Sequence, residues 1–324
     1  MVQTLDHSIK TQEKEIEQPT DAHPQWAFFK GEFVPIANAK VSIMSQVVNY
    51  GIGAFGGIRA YWNDEKQQLY IFRIDDHLRR FLSACKLFNA TIPYSAGDLK
   101  RIIIDLLRRE GYREDAYIRP LLYNATEDIT PRLYDAEFDF AAFSRAQGNY
   151  IKLAVHACTS TWRRLDDTII PSRGKLTGGY VNSAFAKSEA HWNGYDEAIV
   201  LNQDGHVAEG SAMNLFIVRD GRLRTPAITD NILEGITRNS ILRLAQDELG
   251  VEAAERSIDR SELYIADEVF FCGTGAQVAA VVEIDHRPIG NGKMGPLTQR
   301  VQETYFSIVR GKHPKYSDWL TPVY

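Results

Sequence analysis

Apolar residues change their spacing once along this chain, and that change constrains the fold more than any single motif. Before residue 144 two segments carry helical spacing. Leu78, Phe81, Leu82 and Cys85 recur between residues 76 and 88, and Leu99, Ile102, Ile103, Leu106 and Leu107 form a second stripe closed by Gly111. Around them residues 69–73, 116–123 and 138–143 read as strands, and residues 26–35 read as a short hairpin turning at Lys30-Gly31. Beyond residue 150 the pattern becomes one of short strands, at residues 150–159, 197–201, 214–218 and 268–272 and at Val207. Several are closed by Asp204-Gly205 or Asp220-Gly221, dipeptides that suit tight hairpin turns. Two helices lie among these strands, one over about 180–192 and one from near Gly235 to Leu249. The polar, Gly-containing residues 144–149 mark the boundary. The expectation is an α+β chain: a small α/β N-terminal domain over 23–145, a larger strand-rich C-terminal domain over 146–324, and a disordered tail over 1–22.

A length of 324 residues accommodates two domains. With 44% hydrophobic residues, 24% charged residues and a net charge of -5, the chain reads as an ordinary soluble protein without a nucleic-acid groove. No run approaches the roughly 18 apolar residues of a membrane span, and the first twenty-odd residues lack an apolar stretch. Cys85, Cys158 and Cys272 are far apart among apolar neighbours, which implies buried, reduced thiols in a cytoplasmic protein. The eight histidines show no metal-ligand spacing, so no metal is expected. A literal G-x-G-x-x-G runs from Gly51 to Gly56 but leads into the strand-like Ile58-Arg-Ala-Tyr, whereas a dinucleotide site needs a helix there.

Four segments carry chemistry. In Ile170-Pro-Ser-Arg-Gly-Lys175-Leu-Thr-Gly-Gly-Tyr180 a lysine stands between turn residues and a Gly-Gly pair that allows close backbone approach. Val207-Ala-Glu209-Gly-Ser-Ala-Met-Asn214-Leu-Phe places a carboxylate at a strand end. Gly235-Ile236-Thr237-Arg opens a helix whose free N–H groups suit an anion, and Cys272-Gly273-Thr274-Gly275-Ala276 is a Gly-rich turn after a strand.

In this order and spacing the four segments resemble the fold-type IV pyridoxal-phosphate enzymes (the D-amino-acid aminotransferase-like fold), and most closely the branched-chain amino-acid aminotransferases. The resemblance covers residues 26–311. It implies that Lys175 forms the Schiff base with pyridoxal 5'-phosphate and shuttles the substrate proton, that Tyr180 bonds the cofactor phenolate oxygen, and that Glu209 faces the pyridine nitrogen. Gly235, Ile236, Thr237 and Thr274 would hold the phosphate. So would Arg80, the last arginine of an F-R-x-x-x-H-x-x-R pattern that begins at Phe72-Arg73. The resemblance places the substrate pocket at Tyr50, Phe55, Arg59, Tyr117 and Arg119 and at the turn Thr274, Gly275, Ala276. It implies ping-pong exchange between branched-chain L-amino acids and 2-oxoglutarate in a homodimer or a multiple of dimers.

The chain departs from the family at three places. Phe55-Gly56-Gly57 stands where F-E-G is usual, the loop from Asn124 to Leu133 lacks a Gly-rich run, and the segment from Arg145 to Lys152 is short. All three concern side-chain selection. They leave open an (R)-amine or D-amino-acid aminotransferase on the same scaffold, and Arg132 in place of Arg119 as the carboxylate clamp.

Overall fold

The computed structural model describes residues 23–148 and 154–324. Residues 1–22, read above as a tail, and the first residues of the strand expected from 150 lie outside the described ones. The rest divides between two sheets, of eight and nine strands among the described residues.

The first sheet is antiparallel throughout, in the order Leu320–Pro322, Gln68–Phe72, Ile58–Asn63, Ala116–Asn124, Phe138–Ala146, Trp26–Phe29, Glu32–Pro35, with Gly53–Phe55 also paired to Ala116–Asn124. The two predicted helical stripes are the helices Ile74–Leu87 and Ala96–Glu110. They bury Leu78, Phe81, Leu99, Ile103, Leu106 and Leu107 in one cluster with Ile58, Leu69, Ile71, Ile118 and Phe140 of the sheet. Ser95 and Asp98 form a reciprocal capping box at the start of the second helix, and Gly111 ends it at φ +69°, a left-handed turn that glycine takes at little cost.

In the second sheet the order is Val207–Gly210, Glu197–Leu201, Ala154–Arg163, Gln277–Ile284, Glu268–Gly273, Asn214–Arg219, Arg222–Thr225, Ala253–Glu255, with Arg287–Pro288 also paired to Gln277–Ile284. Asp220 (φ +51°) and Gly221 (φ +69°) make the expected two-residue hairpin, with Arg219 opposite Arg222. The helices Ile236–Asp247 and Pro296–Val309 share a core cluster with Phe216, Phe270 and Val278 of this sheet.

Two boundaries differ from the sequence reading. The strand Phe138–Ala146 runs through part of the polar break, pairing Ser144 with Ile118, Arg145 with Tyr117 and Ala146 with Ala116. Polar residues fit a strand here because its alternating faces bury Ser144 and turn Arg145 to a cavity. The chain end also returns to the first sheet, where Leu320–Pro322 pairs with Gln68–Phe72. Around the G-x-G-x-x-G match, a short helix Gln46–Tyr50 precedes the strands Gly53–Phe55 and Ile58–Asn63, so the strand-to-helix setting of a dinucleotide site is absent. Among the described residues no helix is long and apolar enough to cross a membrane. All three cysteines are buried and free.

Candidate active site

A cavity of about 850 Å³ takes its walls from both sheets. The loop carrying Lys175 is stitched to the first sheet: Phe55 N–H donates to Lys175 O at 2.9 Å, and Leu176 bridges Ala54. Gly51 and Gly178 explain each other. Gly51 is left-handed (φ +66°), its carbonyl accepts from Gly178 N–H at 3.1 Å, and a Cβ on Gly51 would sit 2.9 Å from Gly178 Cα. Glycines in two motifs thus allow one close backbone contact beside the lysine.

Lys175 Nζ donates to the Tyr180 hydroxyl and lies 5.1 Å from the Phe55 ring centre and 4.9 Å from that of Tyr180. Burial, and next the positive charge of Arg80, bring its pKa down from 10.5 to about 7, with Glu209 opposing. A substantial share of Lys175 is therefore neutral at neutral pH, as a nucleophilic amine must be. Burial raises the Tyr180 phenol, which stays protonated.

Glu209 is buried with both oxygens engaged. Oε1 meets Arg164 Nη2 at 3.0 Å, and Oε2 accepts from Asn214 Nδ2 at 2.9 Å and from Leu233 N–H at 3.2 Å. Burial pushes its carboxyl up and Arg164 pulls it down. Asn214 also donates to Leu233 O at 2.9 Å, which ties the carboxylate to the turn before the helix Ile236–Asp247. The sequence reading missed Arg164, whose only signal is a cation after an exposed strand end. It quoted Asn214 only as part of a motif, although a polar residue opening an otherwise apolar strand is a signal in itself.

Gly235 caps the helix Ile236–Asp247, and Gly235, Ile236 and Thr237 all border the cavity. Arg80 reaches the same turn, donating from Nη1 to Glu234 O at 2.9 Å. A Cβ on Gly235 would stand 1.9 Å from Asn214 Oδ1, so only glycine fits this close approach. Gly273, Thr274 and Gly275 border the cavity too. A cation, free helix N–H groups and a Gly-rich turn converge, and that donor set suits a phosphate dianion. With the lysine and the fixed carboxylate at the same cavity, the residues fit pyridoxal phosphate.

Of the expected substrate residues, Phe55, Tyr117 and Arg119 line the cavity. Arg119 donates to the Tyr117 hydroxyl at 3.0 Å and lies 4.5 Å from the Phe55 ring centre; its Nε is buried with no hydrogen-bond partner among the described residues. Three others do not line it. Tyr50 is exposed and its hydroxyl bonds Ile129 O, because the short helix Gln46–Tyr50 turns it outward. Arg59 is fully buried and donates from Nη2 to the carbonyls of Gln147 (2.8 Å) and Gly148 (2.7 Å), holding the end of the first sheet's long strand. Ala276 is buried behind the turn. Arg132 is not at the cavity but 3.1 Å from Asp128. At the first departure, a Cβ on Gly56 would meet Pro120 Cγ at 2.5 Å and one on Gly57 would meet the Tyr117 hydroxyl at 2.4 Å, so these side chains as placed leave room for glycine at both positions.

A family model for amino-transferase class IV matches residues 53–284, and the chain belongs to that family. Its relatives include branched-chain-amino-acid aminotransferases. A probable branched-chain-amino-acid aminotransferase of Aquifex aeolicus is 50% identical over 301 residues, 92% of this chain and 97% of that protein. Among solved structures, the branched-chain aminotransferase of Thermoproteus uzoniensis with norvaline has a TM-score of 0.89 at 44% identity, covering 93% of this chain and 100% of that one. The branched-chain amino acid aminotransferase of Thermobaculum terrenum in its PLP-form has a TM-score of 0.87 at 37% identity, covering 93% of this chain and 99% of that one.

Proposed function

We propose that this aminotransferase moves the amino group of leucine, isoleucine or valine to 2-oxoglutarate by a ping-pong exchange on pyridoxal 5'-phosphate. The observation that carries the reading is Lys175, its pKa brought down to about 7, hydrogen-bonded to Tyr180 in the cavity that Glu209 and Arg80 also border. When bound, the cofactor supplies an aldehyde for the amine and a ring that accepts the electron pair left as the Cα–H bond breaks.

Lys175 Nζ would hold the cofactor and, once a substrate amine has taken its place, would carry the Cα proton, as general base and then as general acid. Glu209, kept in place by Arg164, Asn214 and Leu233, stabilises a proton on the ring nitrogen. Arg80, Gly235, Ile236, Thr237 and Thr274 bind the phosphate, and Tyr180 orients the phenolate side. Phe55 and Tyr117 offer aromatic surface to an aliphatic side chain, and Arg119 is the cavity cation for the distal carboxylate of glutamate. Both substrates then use one site in turn. Arg59 supports the pocket from behind.

The same reading gives a homodimer or a multiple of it. Exposed Ile43, Met44, Val48, Tyr50 and Ile129 gather where Tyr50 bonds Ile129 O and Asn49 bonds Ile43 O, an apolar patch suited to a second chain.

The test uses one preparation. Borohydride should bleach the cofactor band and fix the reduced cofactor on Lys175, identified by peptide mass, and sedimentation should give an even multiple of the chain mass. Initial rates should be high with L-leucine plus 2-oxoglutarate and negligible with (R)-1-phenylethylamine plus pyruvate. A rate with the amine alone would overturn the substrate assignment, and label on another lysine would overturn the site.

A further inference from the structure

The phosphate end of the cavity is built from two helices in different parts of the chain. Arg80 lies on Ile74–Leu87, and the free N–H groups lie at the start of Ile236–Asp247. Their convergence depends on how these helices are fastened together. Arg80 supplies one tie, through Glu234 O. The second lies seven residues earlier, about two helical turns away. Arg73 caps Ile74–Leu87 in the left-handed region (φ +48°), a conformation uncommon for a non-glycine residue. Its side chain is 8% exposed.

Nε and Nη1 of that guanidinium both have directional partners. Nε donates to Asp76 Oδ2 at 2.6 Å, and Nη1 donates to Asn239 Oδ1 at 2.9 Å, Ser240 Oγ at 2.8 Å and, more weakly, Ile236 O at 3.4 Å. The Trp319 ring stacks on it with its centre 4.9 Å away. Arg73 thus holds the first two turns of the second helix, and it does not line the cavity.

We propose that Arg73 is a positioning residue for the phosphate site: it fixes Ile236–Asp247 against Ile74–Leu87 so that Arg80 and the N–H groups at 236–237 meet one phosphate. This rests on reading the cavity as a pyridoxal-phosphate site. The role is separable from general stability, because it concerns the phosphate end alone.

The experiment titrates cofactor-free wild-type, Arg73→Met, Arg73→Lys and Asn239→Ala proteins with pyridoxal phosphate and, separately, with pyridoxal, following the absorbance of bound cofactor. Arg73→Met should weaken pyridoxal phosphate about tenfold, roughly one charge-assisted hydrogen bond, and leave pyridoxal unchanged. Arg73→Lys should fall between it and wild type. Asn239 is exposed, so Asn239→Ala keeps the fold and carries the test if Arg73→Met does not fold; it should show a smaller loss of the same selectivity. Equal losses for both ligands, or none, would overturn the positioning role. Wild-type protein that bound pyridoxal phosphate no more tightly than pyridoxal would overturn the phosphate site itself.

Discussion

Replacing Lys175 with methionine should stabilise the cofactor-free protein, and more so as the pH falls. Unfolded, the lysine titrates near 10.5; folded, near 7. Between those values the unfolded chain binds a proton that the folded chain does not, so folding loses stability as pH drops from 10.5 toward 7 and levels off below 7. At 1.36 kcal/mol per pH unit, the interval from 10.5 to about 7 corresponds to about 5 kcal/mol. Methionine fills similar space and carries no proton. Urea denaturation of both proteins should therefore show wild type losing about 3 kcal/mol relative to Lys175→Met between about pH 9.5 and about pH 6. A stability difference that stayed flat over this range, or grew toward alkaline pH, would refute a depressed lysine and with it the account of how the amine is kept reactive.

Glu209→Gln should retain pyridoxal phosphate, seen as an unchanged cofactor band, and lose turnover by about a hundredfold or more, since a neutral amide no longer favours a protonated ring; unchanged rates would remove Glu209 from the mechanism. Gly235→Ala should push against Asn214 Oδ1, whose amide is held by Glu209 and Leu233 O, and so cost about 1–3 kcal/mol of folding stability together with weaker cofactor binding. A thermal melt and a cofactor titration on one preparation check both effects.

Much of the architecture is written in local pattern. Leu99, Ile103, Leu106 and Leu107 lie on one helical face at any place in a protein, and Ser95, Asp98 and Gly111 carry their capping chemistry with them. Asp220-Gly221 is a turn for the same local reason. Lys175, Glu209 and the helix start at Gly235 were legible because each sits in a short motif whose glycines report a close approach. Tyr50 and Arg59 share a motif with Phe55, yet motif membership does not say which side of the backbone each occupies: Phe55 faces the cavity, Tyr50 turns out with its helix, and Arg59 turns in beneath Gln147.

Elements, turns and the chemical character of the site can thus be read along the chain. Three features arise only on packing: Arg164 holds Glu209, Arg73 binds Asn239 and Ser240, and the last strand returns to the first sheet. The difference is one of range. Helical and strand periodicities, caps and hairpins depend on neighbours within a few residues, whereas these contacts join side chains tens to hundreds of residues apart and exist only once folding has brought their elements together.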